Sequence, residues 1–485
     1  MKLLNITIEN YRCIERVVFN VEEIAESHTF TLIGINESGK SSFLKAISLV
    51  DDDEEKVVYS KDFFDDEKPI SISLAYQLDS QEEKELRKTL LEKGFDKDAL
   101  AQIEIEKVNV RATFEPTKEA TKKVFDQITF KKSVLDDYTL SGEAKPVKKD
   151  PQQTQEDFNI EKYFEIYFPQ YFYKISHRII FWKSDSKHLI DEQINLDTFA
   201  ADPDNVSIPL MNCFSLAGIE DIPAEINKLK TDPAEINNLQ EKLGDKVTAH
   251  IKKAWPNHPV KIKFQINNTF LSFLVEDDKV KYKAKTSSQR SDGFRQFTSF
   301  LLTISAENAT NQLSNSLLLL DEPETHLHPQ AQEYLKGELI KITKNTENNI
   351  VFFATHSNYM IDKNHIDRCY RVVKQNNKKT TLEKIKGAIS SYSEVNYEVF
   401  DIPSNDYHNE LYGYLADIEQ TKLNGLPETK DWINEKTGKT EKVSLSTYIR
   451  HSIHHPENTS NDEFTPDELR ESIETMRGLK YKTKK

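Results

Sequence analysis

The segment Gly34 to Ser41, with the sequence GINESGKS, constrains the fold of this chain more than any other feature. It follows a short apolar run, residues 30–33, that suits a buried central strand, and it precedes a predicted helix beginning near Lys40. Glycine, four residues, glycine, lysine and serine between a strand and a helix form the pattern of a phosphate-binding loop. The sequence therefore predicts an α/β fold with a nucleotide phosphate site at the carboxyl end of this strand.

The residue types in the loop suit ATP with Mg²⁺. Inward-facing backbone N–H groups would surround phosphate oxygens, and the N-terminus of the helix adds a favourable dipole. We expect Lys40 to reach the β and γ phosphates and the hydroxyl of Ser41 to bind Mg²⁺. The predicted nucleotide-binding residues of this loop are Gly34, Asn36, Ser38, Gly39, Lys40, Ser41 and Ser42.

Two further apolar runs end in polar residues suited to the same chemistry. Four leucines, residues 317–320, predict a strand buried on both faces, and Asp321 and Glu322 follow it. We expect Asp321 to hold Mg²⁺ together with Ser41, and Glu322 to act as the general base on the attacking water. The run at residues 351–354 is followed by Thr355 and His356, and His356 is placed to hydrogen-bond the γ-phosphate or that water.

A Ser-x-Gly sequence at the start of a predicted helix is a further candidate anion contact. Ser291 and Gly293 open this helix, which lies just before the acidic strand. Serine–glycine turns are common, so the signal is weak in isolation. The evidence for it comes from its position in the order of the motifs, after the phosphate loop and before the acidic strand.

That order resembles the ATP-binding-cassette heads of SMC-type ATPases. Among these, the chain is most similar to the overcoming-lysogenisation-defect (OLD) group and related bacterial phage-defence ATPases, including the Septu ATPases. The resemblance covers roughly residues 1–60 and 285–375. The segments that carry it are ITIENYRCIE (6–15), GINESGKSS (34–42), SDGF (291–294), LLLLDEPETHLHP (317–329) and ATHS (354–357).

The resemblance implies roles for individual residues. It makes Ser291 and Gly293 the signature that contacts the γ-phosphate of a partner's nucleotide, and His356 the switch histidine. It therefore implies at least a head-to-head dimer. Pro323, Glu324, His326 and His328 fall where the family crosses between two heads, and Asp62 falls loosely near a metal-contacting loop. The family's glutamine loop is not visible in this sequence.

Composition and hydropathy narrow the setting. The formal net charge of −15 argues against a surface that coats nucleic acid indiscriminately, although a local basic stripe remains compatible with it. Cys13, Cys213 and Cys369 are scattered, which excludes an obvious zinc site and suits a reducing cytoplasm. No apolar run is long enough to span a bilayer, so we expect a cytoplasmic protein without a membrane partner.

The expected fold is a P-loop head with a parallel core sheet and an antiparallel β-lobe, a helical insertion and a helical C-terminal region. The boundaries we predict are 1–212 for the first part of the head, 213–258 for the insertion, 259–385 for the second part and 386–485 for the C-terminal region. The Lys-rich residues 374–379 and 480–485 read either as solvated turns or tails or as phosphate contacts.

The C-terminal region leaves two interpretations open. Arg450, His451 and His455 match the Arg-x4-His pattern of HEPN ribonucleases, which cut RNA without metal, but three histidines at a helix end equally suit a packing or docking surface. Many OLD proteins continue into a TOPRIM nuclease, whose DxD pair does not occur in residues 376–485. The Septu ATPase acts with a separate HNH nuclease, so the resemblance implies such a partner here.

Three functions follow as hypotheses. In the first, the chain is the ATP-hydrolysing switch of a bacterial anti-phage system and controls a separate nuclease, probing DNA or RNA through the complex. In the second, it is an ATP-gated ribonuclease with a site at Arg450 and His455. In the third, it maintains or repairs DNA, which the shortness of the helical insertion disfavours.

Overall fold

The computed structural model describes residues 1–51, 57–117, 120–142, 145–254, 259–277, 283–305, 313–344, 348–375, 379–385 and 391–481. The predicted Lys-rich segments lie partly outside these ranges. The chain divides into two compact units, Met1–Met360 with Asp367–Lys384, and Ile361–Ile366 with Ile385–Lys485. Among the helices of the described ranges, none is both long enough and apolar enough to cross a bilayer.

The core sheet of the first unit is mostly parallel. Its six described strands lie in the order Arg178–Lys183, Ser316–Asp321, Ile350–Thr355, Thr29–Ile33, Cys369–Lys374 and Thr380–Lys384. The first five are parallel to their neighbours, and the last pairs antiparallel at the edge. The predicted parallel core is therefore confirmed, with an antiparallel edge strand that the sequence analysis did not identify.

The leucine strand is buried on both faces, as its continuous apolar run predicts. Leu317 and Leu319 belong to one hydrophobic cluster, which we call the first core cluster and which includes Phe43 of the helix after the phosphate loop. Leu318 and Leu320 belong to a second core cluster, on the opposite face of the sheet. Each cluster takes alternate residues of the strand because successive side chains of a strand point to opposite faces.

An antiparallel sheet covers the face of the first core cluster, as predicted for the β-lobe. Its strands lie in the order Ile14–Asn20, Lys2–Tyr11, Ile70–Gln77, Ile105–Phe114, Ala120–Phe130 and Val57–Val58. Ile6, Ile8, Ile72 and Val110 point inward from these strands and are fully or almost fully buried. Short strand pairs follow at Val134–Leu135 with Phe158–Asn159, and at Tyr138–Leu140 with Pro146–Lys148.

Helices and a small antiparallel sheet build the second core cluster. The sheet contains Gln193–Asn195, Phe270–Asp277, Val260–Asn267 and Lys285–Thr286. The helical region starts earlier than residue 213, and one helix runs across the predicted boundary at 212/213. The helices of the first unit are Lys40–Ser48, Ser80–Glu92, Lys97–Ala101, Ile160–Tyr167, Pro169–Ile175, Leu196–Ala201, Pro203–Val206, Ile208–Leu216, Ile222–Leu229, Pro233–Ala254, Asp292–Phe300 and Pro329–Lys344.

In the part of the second unit that the structure describes, helices predominate and one β-hairpin is present. Its helices are Tyr392–Phe400, Asn405–Ile418, Gln420–Asn424, Leu445–His454 and Pro466–Tyr481, and its hairpin pairs Glu428–Ile433 with Thr440–Ser444. The C-terminal region is helical, as expected, and it also contains this hairpin, which was not predicted. Its strands are mostly exposed and carry charged residues, so they lack the apolar alternation that marks a strand in a sequence.

Candidate functional site

The carboxyl ends of three neighbouring parallel strands bring the predicted motifs together. Asp321 is paired in register with Ala354, and Thr355 is paired with Ile33, which directly precedes Gly34. The phosphate loop, the acidic pair and His356 therefore leave the sheet side by side. This edge is where open α/β sheets bind ligands.

Two glycines of the phosphate loop are required by close contacts. A methyl carbon added at Gly34 would lie 2.5 Å from the carbonyl oxygen of Val372 in the neighbouring strand. Gly39 has φ of 114°, and a methyl carbon there would lie 2.8 Å from Oγ1 of Thr380 and 2.9 Å from Sγ of Cys13. The loop is therefore held tightly against the edge strand and against the turn between the first two strands of the β-lobe.

Lys40 lies at the centre of the loop. Its ammonium donates hydrogen bonds to the carbonyl oxygens of Gly34 at 3.0 Å and Ile35 at 3.1 Å. Burial lowers the pKa of Lys40, while the nearby carboxylates of Glu322 and Asp321 oppose that effect. A cation held in this way by two carbonyls is placed for a phosphate group inside the loop.

Ser41 and Asp321 form the predicted pair of oxygen ligands. The hydroxyl of Ser41 donates to Oδ1 of Asp321 at 2.9 Å. Burial raises the pKa of Asp321, and the hydrogen bond from Ser41 opposes the rise. Within the described ranges, no group of three or more His, Cys, Asp or Glu residues is arranged to hold a metal ion. The pair fits Mg²⁺, which takes one or two protein oxygens and completes its shell with phosphates and water.

Glu322 and His356 face each other across the strand ends. Nε2 of His356 lies 3.2 Å from Oε1 of Glu322. Burial lowers the pKa of His356, with a further contribution from Lys40, which favours the neutral imidazole. Glu322 has φ of 49°, and its backbone N–H donates to the carbonyl oxygen of Ala354 at 3.1 Å. Backbone strain of this kind is typical of active sites, where surrounding structure enforces it.

A cavity of about 910 Å³ lies beside the phosphate loop. Of the predicted residues, Asn36, Ser38, Gly39, Lys40, Ser41, Ser42, Glu322 and His356 line it. Arg12, Cys13, Glu37 and Lys374 also line it. Arg12, Cys13 and Glu37 had no predicted role, whereas Lys374 belongs to a Lys-rich segment for which phosphate contact was one of two interpretations.

Asp62 acts on this cavity through Arg12. Oδ1 of Asp62 accepts a hydrogen bond from Nε of Arg12 at 2.8 Å. Asp62 itself is not among the residues that line the cavity. The structure therefore places it behind Arg12, as a hydrogen-bonding partner of that guanidinium.

Ser291 and Gly293 line a different cavity, of about 440 Å³. Ser291 caps its helix by accepting a hydrogen bond from the N–H of Phe294 at 3.3 Å. A methyl carbon at Gly293 would lie 2.1 Å from the carbonyl oxygen of His326, so the glycine permits close contact with the loop after the acidic strand. His326 and His328 line this second cavity too.

Arg450 contacts a different structural element from the one that His451 and His455 contact. Arg450 donates to Oδ1 of Asn409 at 2.8 Å, in the helix Asn405–Ile418. His451 lies with its ring centroid 5.1 Å from that of Trp432 in the hairpin, and the ring of His455 lies 6.5 Å from both. The two histidines are therefore brought together with a tryptophan, and Arg450 contacts a different element.

Comparisons with known proteins support a nucleotide-dependent enzyme. A family model described as an AAA ATPase domain matches residues 1–361. The chain is 30% identical over 112 residues to the Old nuclease of Escherichia phage P2, covering 22% of this chain and 19% of that protein. It is 25% identical over 139 residues to an uncharacterized protein of Methanocaldococcus jannaschii, covering 28% of this chain and 35% of that protein. The chain thus matches only a minor part of the length of these relatives.

The chain also aligns with solved structures of SMC heads at low sequence identity. A crystal structure of an SMC head bound to the C-winged helix domain of ScpA aligns with a TM-score of 0.41 at 11% identity, covering 80% of this chain and 98% of that one. The SMC head domain from Thermotoga maritima aligns with a TM-score of 0.36 at 9% identity, covering 80% and 100%.

Proposed function

The chain belongs to the AAA ATPase domain family, and from this premise we propose that it hydrolyses ATP at a site completed by a second copy of the chain. The observation that carries the proposal is the division of the predicted motifs between two cavities. Lys40, Ser41, Glu322 and His356 border one of them, and Ser291 borders the other.

Each side chain of the first cavity has a distinct task in this proposal. Lys40 binds the β and γ phosphates, and Ser41 and Asp321 hold Mg²⁺, which supplies charge neutralisation when bound. Glu322 accepts the proton of the attacking water. The neutral imidazole of His356 donates to Glu322 across the 3.2 Å contact, which orients the carboxylate.

The second copy contributes the signature. Ser291 is exposed at the N-terminus of its helix, so its hydroxyl and the helix dipole are available to an anion on another molecule. A two-fold pairing presents the same surface from both copies and forms two equivalent sites. Binding of ATP then closes the heads, and hydrolysis releases them.

Mixing two inactive variants tests the shared site. Lys40→Ala removes the phosphate lysine, and Ser291→Arg blocks the signature, so each variant alone is expected to be inactive. An equimolar mixture is expected to recover about a quarter of the wild-type rate, since half of randomly paired dimers carry one intact site of two. Phosphate release at fixed total protein measures the rate.

Mixing Lys40→Ala with Glu322→Gln provides the matched control. Both substitutions lie in the same half of the site, so no pairing restores an intact one and the mixture stays inactive. Recovery in the control mixture, or none with Ser291→Arg, would contradict a site divided between two chains.

We further propose that this ATPase is the switch of an anti-phage system that controls a separate nuclease, with HNH chemistry as the expected partner. The support is the local similarity to the Old nuclease of Escherichia phage P2, together with the resemblance of the motif order to Septu ATPases. Plaque counts on cells carrying the native locus test this role. Wild type is expected to lower the counts and Glu322→Gln to abolish protection, whereas equal counts against a broad phage panel would refute it.

A further inference from the structure

Glu324 is a buried carboxylic acid beside the proposed catalytic pair, and the proposed mechanism gives it no task. It is 5% exposed and lies in the loop between the strand Ser316–Asp321 and the helix Pro329–Lys344. Its Oε1 accepts hydrogen bonds from the N–H of His356 at 3.2 Å and from the hydroxyl of Thr355. Its Oε2 is buried without a hydrogen-bond partner in the part of the chain that the structure describes.

The loop between Asp321 and Pro329 also contacts the helix Asp292–Phe300, which we call the signature helix because Ser291 and Gly293 lie at its start. The carbonyl oxygen of His326 lies against Gly293, at the position where a side chain would collide. The carbonyl oxygen of Leu327 accepts from Nε2 of Gln332 at 2.8 Å, and Oε1 of Gln332 hydrogen-bonds the hydroxyl of Ser357. One loop therefore contacts the signature glycine on one side and residues 355–357 on the other.

We propose that Glu324 is a positioning residue that holds the backbone of His356 at the distance from Glu322 needed for hydrolysis, and that it transmits movement of the signature helix to His356. The inference rests on the proposed function. It gives this chain a relay between signature and hydrolytic groups, a role for which the sequence shows no glutamine loop.

An acceptor oxygen, and not merely volume, is what this position requires. A buried polar group without a hydrogen bond is costly, so an apolar residue of similar size would serve a purely packing role better than Glu324. Burial raises the pKa of Glu324 to about 7, and the protonated acid still accepts through its carbonyl oxygen. Glutamine retains that oxygen and leucine does not.

The test compares Glu324→Gln and Glu324→Leu in the full chain. Steady-state kcat and KM for ATP are measured together with equilibrium binding of a fluorescent ATP analogue. Glu324→Gln is expected to stay within about 3-fold of wild type, and Glu324→Leu to lower kcat by about 10- to 100-fold with analogue binding unchanged, the range for supporting groups of active sites. Glu394→Gln and Glu394→Leu, at a buried glutamate of the second unit, are the matched controls and are expected to leave kcat unchanged.

A second variant protects the test against misfolding of Glu324→Leu. Thr355→Val removes the hydroxyl contact of Glu324 with little change of shape, and it is expected to lower kcat by about 3- to 10-fold without raising KM. Equal kcat for Glu324→Leu and Glu324→Gln, parallel loss of binding and turnover, or an unaltered Thr355→Val enzyme would each overturn the inference. Lack of ATP turnover by wild type would instead refute the proposed function.

Discussion

Replacement of Glu324 by glutamine is expected to make stability less dependent on pH. Burial raises the pKa of Glu324 from 4.5 to about 7, so the folded chain retains this proton at pH values where the unfolded chain has lost it. The stability that wild type has below pH 4.5 is therefore lost as pH rises through about 7. At about 1.4 kcal/mol per pKa unit, the loss is about 3 kcal/mol.

Urea unfolding followed by circular dichroism at several pH values between about 5 and 8 measures this effect. The free energy of unfolding of Glu324→Gln minus that of wild type is expected to increase from about pH 5 to about 7 and to level off above it, because glutamine does not ionise and Glu324 is ionised in both states above about pH 7. Glu106→Gln is the control, since Glu106 is exposed and its carboxylate stays in water on folding. A difference in unfolding free energy that is constant with pH, or that decreases, would show that folding does not raise the pKa of Glu324.

Three further outcomes are expected. Gly39→Ala should weaken ATP binding by about 10-fold or more in calorimetry, because its φ of 114° and its contacts leave no room for a side chain, and unchanged affinity would contradict this loop geometry. Lys374→Ala should raise KM for ATP by about 2- to 5-fold at low salt, whereas Lys379→Ala, whose ammonium pairs with Glu15, should not, and equal effects would remove Lys374 from the site. Purified chain should leave tRNA intact in every nucleotide state, and cleavage lost in both Arg450→Ala and His455→Ala would favour the ribonuclease hypothesis instead.

The part of the site that follows buried strands could be predicted from the sequence. Each of three apolar runs ends at a polar residue, and parallel strands place their carboxyl ends at one edge, so Asp321 and His356 had to lie near the phosphate loop once the sheet was assumed. The start of a helix at the Ser-x-Gly sequence could likewise be predicted, and the helix Asp292–Phe300 confirms it. Its cap, the hydrogen bond that Ser291 accepts from the N–H of Phe294, was not predicted.

The remaining lining residues depend on tertiary contacts that leave no local pattern. Arg12 enters the cavity because the turn between the first two strands of the β-lobe lies beside the phosphate loop, where the N–H of Thr380 donates to the carbonyl oxygen of Cys13 at 2.9 Å. Lys374 ends a core strand but belongs to a Lys-rich run whose sequence fits a solvated turn as well as a phosphate contact. The burial of Glu324 was similarly hidden, since a Glu within an acidic loop is ordinarily exposed.

The strand that ends at Asp321 packs against both core clusters, one on each face of the core sheet. Phe43, after the phosphate loop, packs in the first core cluster, and Phe297 of the signature helix packs in the second. The strand Ser316–Asp321 contributes alternate leucines to both clusters. A displacement of the helix Lys40–Ser48 or of the helix Asp292–Phe300 would therefore act on the same strand. Close-packed interiors transmit such displacements instead of absorbing them. Glu322 directly follows that strand and Glu324 lies two residues later, so the packing connects the helix Asp292–Phe300 to the loop that carries the proposed hydrolytic group.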